Sequence, residues 1–297
     1  MEAMICDIKK FAVHDGDGIR TTVFFKGCSL KCVWCHNPES ISFKPQLSYI
    51  PQKCIGCGEC AKVCDVHTFK DGMHIFDRNL CTVKGNCVTN CYGEALKIYG
   101  TKVTSDELVE EIVKDKAFYD NSGGGATLSG GECLCQADFC RELLMKLKQK
   151  GINTAVDTCG NVKREEFDKV IPYTDIFLYD LKAIDPDVHK KCTGSTNELI
   201  LDNLKYLDEK DCKIEIRIPY VPGYNDGEIE KMGEFLKGFK NITKIKVLHY
   251  HNFAGSKYSA VNMPNTLPKT LPTDEEVKKA VAILKSFSLN AIDGNDA

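Results

Sequence analysis

The cysteines of this chain are bunched, and this pattern restricts the possible folds more than any other feature. Of 17 cysteines in 297 residues, one tight group is Cys28, Cys32 and Cys35, and a second lies between Cys54 and Cys91. The count is odd, and this fraction of the chain is below the roughly 8–10% that is typical of a disulfide scaffold. We therefore expect metal ligation in a reducing compartment rather than disulfides.

The charge balance and the absence of long apolar runs exclude several classes of partner. The 39 basic residues face 42 acidic ones, a net charge of -3, so there is no basic excess to hold a nucleic acid backbone. No run of about 18 apolar residues occurs, so we expect no transmembrane helix. The segment MEAMICDIKK has acids and lysines where a signal peptide needs an apolar stretch. We expect a cytoplasmic protein without nucleic acid or membrane partners.

Composition divides the chain into three regions. Residues 1–50 contain a strand-like stretch, 21–25, that leads into the first cysteine group. Residues 51–100 are dense in Cys, Gly and Asn, so this small unit needs something other than an apolar core to hold it together. In residues 101–297, strand-like and helix-like segments alternate. We expect residues 51–100 to be an insert within one larger α/β domain.

The alternating segments predict a parallel α/β sheet. The predicted strands are 21–25, 126–128, 154–156, 175–179, 213–220 and 242–248. The predicted helices are 103–116, 137–150, 163–170, 197–210, 226–240 and 273–287, with Thr104 or Ser105 as the cap of the first. These units favour an open or partial barrel, (β/α)6, over the complete eight-unit barrel.

Polar clusters follow the predicted strands. In chain order they are GCSLKCVWCHN, SGGE, DTCG, DLK, RIPYVPGYND and HYHN. Because active sites in parallel sheets lie at the carboxyl ends of the strands, we expect these clusters to form one site. Asp180 and Lys182 share one face of a strand. Arg217 lies in an otherwise apolar strand, where a charged side chain needs a partner.

The first cysteine group follows a strand directly and has the spacing C-x3-C-x2-C. Three thiolates on one loop can hold three corners of a [4Fe-4S] cluster and leave the fourth iron open to a substrate. The alternative is a closed zinc site made by the three cysteines and His36. The pattern GCxxxCxxC after a strand resembles the motif of the radical S-adenosylmethionine (SAM) superfamily. The resemblance favours the cluster, with Cys28, Cys32 and Cys35 as its catalytic ligands.

The resemblance extends to one branch of that superfamily. The segments 14–20 (HDGDGIR), 21–28 (TTVFFKGC) and 34–39 (WCHNPE) resemble the glycyl-radical-enzyme activating enzymes, relatives of pyruvate formate-lyase activase. Asp17 stands where this family usually has proline, in a turn where we expect no loss of chemistry. The resemblance implies an anaerobic oxidoreductase that cleaves SAM to a 5′-deoxyadenosyl radical. This radical takes a Cα hydrogen from a glycine of a partner glycyl radical enzyme.

The resemblance also implies a set of residues around SAM. Glycines let the backbone approach a ligand and a carboxylate complements an ammonium, so Gly130, Gly131 and Glu132 match the segment that receives the methionine amino group. His249 stands where proline is usual in the family, and little weight is given to it. The other matched positions are Trp34, His36 and Asn37 beside the cluster and adenine, Asp157 and Asp180 near a monovalent cation or the ribose, the catalytic Lys182 at the SAM carboxylate, Arg217, and His251 near the methionine or adenosine.

The second cysteine group contains two runs related to C-x2-C-x2-C-x3-C, the bacterial ferredoxin pattern, and Lys84 replaces one cysteine of the second. In two-cluster ferredoxins the fourth cysteine of a run serves the other cluster. This scheme leaves one auxiliary [4Fe-4S] cluster complete and the other one ligand short. The second site could then hold a cubane with a water or carboxylate ligand, a three-iron cluster, or nothing, and zinc is the alternative. The complete set is Cys54, Cys57, Cys60 and Cys91, and the short set is Cys64, Cys81 and Cys87.

A subset of the activating family carries such a ferredoxin-like insert. We expect the insert to relay electrons from an external flavodoxin or ferredoxin to the SAM cluster. Two other functions compete: a radical SAM enzyme acting on a small molecule or on anaerobic ribonucleotide reductase, and a pure electron-transfer iron–sulfur protein. A pure electron-transfer protein would leave SGGE, Asp180 and Lys182 without a role.

Overall fold

A computed structural model describes residues 1–296, and most of its strands belong to one nine-stranded sheet. Two pairs of short strands form separate small sheets. The strands are β1 (Glu2–Ala12), β2 (Arg20–Phe25), β3 (Gln46–Tyr49), β4 (His67–Lys70), β5 (Met73–Phe76), β6 (Leu96–Tyr99), β7 (Thr101–Thr104), β8 (Gly125–Gly130), β9 (Asn153–Thr158), β10 (Ile176–Asp180), β11 (Ile214–Tyr220), β12 (Ile242–His249) and β13 (Ala291–Asp293).

The large sheet has the order β13-β12-β11-β10-β9-β8-β2-β1-β7. From β2 to β13 all neighbouring strands are parallel, whereas β1 is antiparallel to both β2 and β7. Because the parallel strands lie side by side in chain order, each β–α unit packs next to the preceding one, as in an open barrel. The expected α/β class with a parallel sheet is confirmed, and β13 adds a seventh parallel strand to the six that the (β/α)6 expectation contained.

Most helices follow the strands of this sheet, and two short helices belong to the cysteine-rich segment 51–100. Thr104 caps the first long helix, as expected, because its hydroxyl accepts a hydrogen bond from the Glu107 amide at 3.3 Å. The helices are α1 (Glu59–Val63), α2 (Asn86–Thr89), α3 (Ser105–Val113), α4 (Lys116–Ser122), α5 (Ala137–Gln149), α6 (Arg164–Val170), α7 (Pro186–Thr193), α8 (Glu198–Glu209), α9 (Ile229–Leu236), α10 (Gly255–Ala260) and α11 (Asp274–Ser286).

Several boundaries correct the sequence-based expectations. The helix expected at 103–116 begins only at Ser105, because residues 101–104 extend the sheet edge as β7. The helix expected at 226–240 is shorter, since residues 226–228 form a 3-10 turn before α9. Strands β1, β7 and β13 and helices α4, α7 and α10 were not expected. They lie outside the repeated strand-then-helix pattern or are too short to show a period.

Arg20, at the start of β2, ties three strands together at the amino end of the parallel sheet. Its guanidinium is buried and donates to the Thr127 hydroxyl at 2.7 Å, the Ala126 carbonyl at 2.8 Å and the Asn153 side-chain oxygen at 3.1 Å. A buried guanidinium needs several acceptors, and the edges of β8 and β9 supply them. The end of the HDGDGIR segment therefore has a structural role below the site.

The cysteine-rich segment forms a unit closed at its base by two strands. β3 pairs antiparallel with β6, and β4 pairs with β5 as a hairpin between them. Strand β3, which lies before the expected boundary at residue 51, takes part in this pairing. Its buried apolar residues are few, namely Leu47, Cys60, Cys87, Ala95 and Leu96. Such a core is too small to stabilise the unit alone.

Within the described residues, no helix combines the length and the apolar composition that crossing a membrane would require.

Candidate active site

A cavity of about 430 Å³ lies at the carboxyl ends of the parallel strands. Parallel strands bring their carboxyl ends to one edge of the sheet, so residues distant in sequence meet there. Every polar cluster singled out in the sequence contributes to its wall. The predicted site residues that line it are Cys28, Cys32, Trp34, Cys35, His36, Asn37, Gly130, Gly131, Asp157, Asp180, Lys182, Arg217 and His251.

The loop that carries the three cysteines is held by backbone hydrogen bonds to two other segments. The Gly27 amide donates to the Ser40 carbonyl at 2.7 Å, and the Val33 amide donates to the Cys192 carbonyl at 2.9 Å. The Tyr258 hydroxyl donates to the Cys35 carbonyl at 2.9 Å. The loop is therefore fixed by the surrounding fold, and its three thiols face one cavity.

His36 is engaged away from the thiols. Its Nε2 lies 2.6 Å from the His251 carbonyl oxygen, and its ring stacks on the His251 ring with centroids 4.1 Å apart. Burial lowers the pKa of His36 and raises the pKa of the Cys35 thiol to about 11. These contacts give the histidine another role, and a zinc site of three cysteines and His36 fits them poorly.

Gly130 and Gly131 let the strand end of β8 pass directly against the cysteine loop. A Cβ on Gly130, whose φ is +121°, would lie 2.2 Å from the Phe25 amide nitrogen. A Cβ on Gly131 would lie 2.4 Å from the Gly27 carbonyl oxygen. Both positions therefore require glycine, because the end of β8 packs directly against β2 and against the residue before Cys28.

Among the residues that the structure describes, Glu132 is the one predicted SAM residue that does not line the cavity. Its carboxylate is fully buried and accepts hydrogen bonds from the Thr158 hydroxyl at 2.8 Å, the Cys159 amide at 2.8 Å and the Leu134 amide at 3.0 Å. Burial raises the pKa of Glu132. Its carboxylate therefore fixes the turn after β9, and contact with the methionine ammonium stays a prediction.

Two ion pairs cross the floor of the cavity. Lys182 Nζ lies 2.7 Å from an Asp180 oxygen, and Arg217 Nη1 lies 3.3 Å from an Asp157 oxygen. The Ser129 hydroxyl donates to the other Asp157 oxygen at 2.6 Å. The Lys182–Asp180 pair lies within one segment at the end of β10, whereas the Arg217–Asp157 pair joins β11 to β9 across β10.

Burial and pairing oppose each other in these groups. Burial raises the pKa of Asp157, although Arg217 opposes this shift. Burial would lower the pKa of Lys182, but Asp180 and the Cys32 thiol raise it above its usual value. Arg217 Nε is buried and has no hydrogen-bond partner among residues 1–296. An unsatisfied buried donor of this kind fits a site that receives an anionic group.

The structure adds cavity residues that the sequence reasoning missed or discounted. His249, given little weight, lines the cavity, and its Nε2 lies 2.8 Å from Asp293, in the last strand. Lys246 also lines it and pairs with buried Glu215 at 3.2 Å. Lys246 could be predicted in the same way as Arg217, because it is also a charged residue within a strand. Cys159, within DTCG, is a further lining residue.

The cysteines of the insert separate into two small cavities. Cys54, Cys57, Cys60 and Cys91 line one, together with Tyr49 and His74. Cys64, Cys81 and Cys87 line the other, together with Lys84. This division matches the crossed ferredoxin scheme, and all cysteines of the described chain are free thiols. Four thiols around one cavity suit a cubane, and three beside a lysine do not complete one.

Comparisons with known proteins agree with the site. Residues 22–236 match the family model of the Radical SAM superfamily. The chain is 43% identical over 268 residues to the trans-4-hydroxy-L-proline dehydratase activating enzyme of Clostridioides difficile, with 88% of each protein covered. It is 43% identical over 267 residues to the choline trimethylamine-lyase activating enzyme of Oleidesulfovibrio alaskensis, with 86% of each covered.

A solved structure supports the fold. Streptococcus suis SuiB bound to precursor peptide SuiA matches with a TM-score of 0.55 at 14% identity, covering 90% of this chain and 46% of that chain. At such low identity the likeness concerns the fold alone.

Proposed function

The chain belongs to the radical SAM superfamily and to its glycyl-radical-enzyme activating enzymes, and we propose from this premise how its cavity residues serve that activity. The enzyme is an oxidoreductase that uses a [4Fe-4S] cluster and SAM, and its protein substrate is a glycyl radical enzyme. The observation that carries the proposal is the meeting of Cys28, Cys32 and Cys35 with Lys182 and Arg217 in one cavity.

The reaction balances with one electron. The cluster, when bound, supplies the electron that breaks the S–C5′ bond of SAM, which gives methionine and a 5′-deoxyadenosyl radical. That radical takes a hydrogen atom from a glycine Cα, so the products are 5′-deoxyadenosine and a glycyl radical on the partner. Water and oxygen must be kept from such a radical.

The cationic side chains of the floor are suited to bind the SAM carboxylate. Lys182 is held by Asp180 and stays protonated, and Arg217 keeps a free Nε donor. A buried cation paired in advance loses little freedom when an anion arrives. We assign carboxylate binding to these two residues, with Asp157 and Asp180 orienting them.

The adenosine end of SAM is assigned to the aromatic residues of the cavity. Trp34 is buried against Tyr224 with centroids 6.1 Å apart, and the stacked rings of His36 and His251 line the same cavity. Flat aromatic surfaces suit adenine, and the side chain of Asn37, fixed by Lys257 at 3.1 Å, adds a polar contact. The Asp157 and Asp180 oxygens also offer ligands for a monovalent cation, although Arg217 and Lys182 already neutralise much of their charge.

The insert is proposed to carry one complete auxiliary [4Fe-4S] cluster and to take electrons from a flavodoxin or ferredoxin. Its four-thiol cavity and its small apolar core support this role, because such a unit needs a metal to fold. Cys57 is the exposed member of the set and gives an external donor a short path. The cavity with Lys84 is proposed to hold a three-iron cluster or to stay empty.

The partner must be found by experiment, because two relatives of equal identity, 43%, have names that refer to different enzymes. We would reconstitute the chain anaerobically with iron and sulfide, reduce it and add SAM. We would then mix it separately with trans-4-hydroxy-L-proline dehydratase and with choline trimethylamine-lyase. Production of 5′-deoxyadenosine together with a glycyl radical signal in electron paramagnetic resonance (EPR) on one partner is expected.

The Cys32→Ala variant is the matched control and should give neither product. Deoxyadenosine without a radical on any glycyl radical enzyme would favour a small-molecule substrate instead. Iron loading without SAM cleavage would favour an electron-transfer protein and would remove the roles given to Lys182 and Arg217.

A further inference from the structure

Two histidines of the insert lie beside a cysteine of the complete auxiliary site. His74 Nε2 lies 3.6 Å from Cys60 Sγ and 3.0 Å from His67 Nδ1. Both histidines belong to the β4–β5 hairpin, which packs over the cavity that Cys60 lines. The three side chains thus form a chain that leads from the hairpin interior to a cluster ligand.

These histidines occupy positions where apolar side chains would satisfy the packing. His67 is 1% exposed and stacks on Phe76 with centroids 4.8 Å apart, and His74 packs edge-on against Tyr49 at 4.5 Å. His67 Nε2 and His74 Nδ1 are buried without a hydrogen-bond partner in the described part of the chain. Burying such atoms destabilises the fold, so the polar rings need a reason other than packing.

We propose that His74 donates a hydrogen bond to the sulfur of Cys60 when Cys60 holds the auxiliary cluster, that His67 orients His74, and that this bond raises the reduction potential of the cluster. The inference rests on the auxiliary cluster of the proposed function. His74 and His67 are positioning residues here, because neither needs to touch the cluster iron.

The direction of the hydrogen bond follows from the chemistry of the three groups. A cysteine bound to iron is a thiolate and carries no proton, so it can only accept. The proton must therefore sit on His74 Nε2, the atom that faces the sulfur. His67 Nδ1 lies 3.0 Å from the same nitrogen and must then present its lone pair, so the single N–H of His74 is shared between the sulfur and His67, and the proton of His67 is on Nε2. This shared hydrogen bond holds the His74 ring in the orientation that faces the sulfur.

The effect on potential follows from where charge accumulates. Reduction adds an electron that spreads over the cluster and its sulfurs, and a donor pointing at a sulfur stabilises that added charge. The other cavity of the insert offers Lys84 but no histidine among its described lining residues. The two halves of the insert therefore differ in their donors as well as in their ligands.

Potentiometric titration followed by EPR tests this inference on the reconstituted full chain. Three variants accompany the natural chain: His74→Phe keeps a ring but removes the donor, His74→Gln keeps an N–H donor, and His67→Phe removes the orienting ring. For His74→Phe we expect the equilibrium constant for reduction to fall about tenfold, from the worth of a hydrogen bond to a charged group. This corresponds to about 59 mV for a one-electron couple.

For His74→Gln we expect a reduction potential close to that of the natural chain. For His67→Phe we expect the reduction potential to fall by less than in His74→Phe. Iron content should stay unchanged in all three variants. An unchanged potential in His74→Phe, with the cluster present, would overturn the inference and leave the auxiliary cluster intact. Loss of a metal ion in that variant would also overturn it, because His74 would then be a ligand. Absence of any auxiliary-cluster EPR signal in the natural chain would overturn both this inference and the proposed auxiliary cluster. Deoxyadenosine formation at the SAM cluster would still proceed in that case.

Discussion

The barrel and the insert both gather cysteines, but they support them in opposite ways. In the barrel, the loop of Cys28, Cys32 and Cys35 is held by hydrogen bonds to segments near residues 40 and 192, and Leu30 of this loop packs in the large apolar core. In the insert, Cys60 and Cys87 are themselves much of the small core. The barrel therefore builds its site from the fold, whereas we infer that the insert depends on the metal of the proposed cluster for its fold.

The surroundings of the cysteines differ just as much. The barrel cavity carries paired charges, among them Asp157 with Arg217 and Asp180 with Lys182. The four-thiol cavity of the insert is walled by Ile55, Phe69 and Leu96 beside its cysteines. Charged walls suit a zwitterionic substrate, and apolar walls suit a group that only exchanges electrons.

Removal of iron should produce the largest difference between the two regions, which is a difference in their resistance to proteolysis. After anaerobic chelation, trypsin should cut the insert at Lys53, Lys62 and Lys84 within minutes while the barrel stays resistant, because only the insert loses its main source of stability. Mass spectrometry of the fragments over time measures this. Fragments from cuts in α5 that appear as early as fragments from the insert would show that the two regions depend equally on metal.

Arg217→Met should be the most destabilising point change in the barrel cavity. It leaves the buried Asp157 carboxylate with Ser129 as its remaining hydrogen-bond partner in the described structure. Removing one member of a buried pair costs about 3–5 kcal/mol, and thermal unfolding of the iron-loaded protein measures it. The control Lys169→Met breaks surface pairs with Asp138 and Glu166 and should destabilise the protein much less, because solvent screens exposed ion pairs. Equal losses in both variants would contradict the assignment of a buried pair.

Lys182→Met should lower kcat/KM for SAM cleavage by about a hundredfold, since a charge-assisted contact to a carboxylate is lost from a buried site. The insert should keep its iron and its EPR spectrum. The companion variant Lys244→Met removes a lysine that pairs with Asp17 at 3.1 Å, outside the set of residues that line the cavity, and should leave cleavage unchanged. A loss in the companion as large as in Lys182→Met would point to a general effect of charge.

Lys84→Cys should have the smallest effect on activity and the clearest effect on iron. It supplies the fourth thiol beside Cys64, Cys81 and Cys87, so the second cavity can hold a complete cubane. Iron per chain should rise, and any three-iron EPR signal should disappear, with unchanged SAM cleavage under chemical reduction. Iron content equal to that of the natural chain would indicate that this cavity does not bind a cluster.

The parallel strands could be predicted because they are buried, continuous apolar runs such as Ile176–Asp180. β1 was missed since two register shifts, after Ile5 and after Lys9, interrupt its alternation. The start of α7 is predictable from the sequence, because Asp185 is a typical N-cap and Pro186 is favoured at the first helical position. Short edge strands such as β13 have no period to read.

The cavity could be predicted from strand-end clusters, and only long-range contacts revealed the rest. Glu132 carries the residue type expected near SAM, yet its carboxylate turns to Thr158 and Cys159, a choice set by the turn after another strand. The His249–Asp293 contact joins residues of two strands, and no local pattern indicates it. The contact between His67 and His74 could not be predicted, because it depends on the pairing of β4 with β5 and a single histidine in a hairpin indicates no particular role.

The division of labour between the regions is tested most directly by measuring deoxyadenosine formation in Cys32→Ala and Cys57→Ala with two electron sources. With dithionite, Cys32→Ala should form none and Cys57→Ala should remain close to the natural chain. With reduced flavodoxin or ferredoxin, both should lose activity. Deoxyadenosine from Cys32→Ala, or full activity of Cys57→Ala with the protein donor, would contradict a barrel that performs the chemistry and an insert that delivers its electrons.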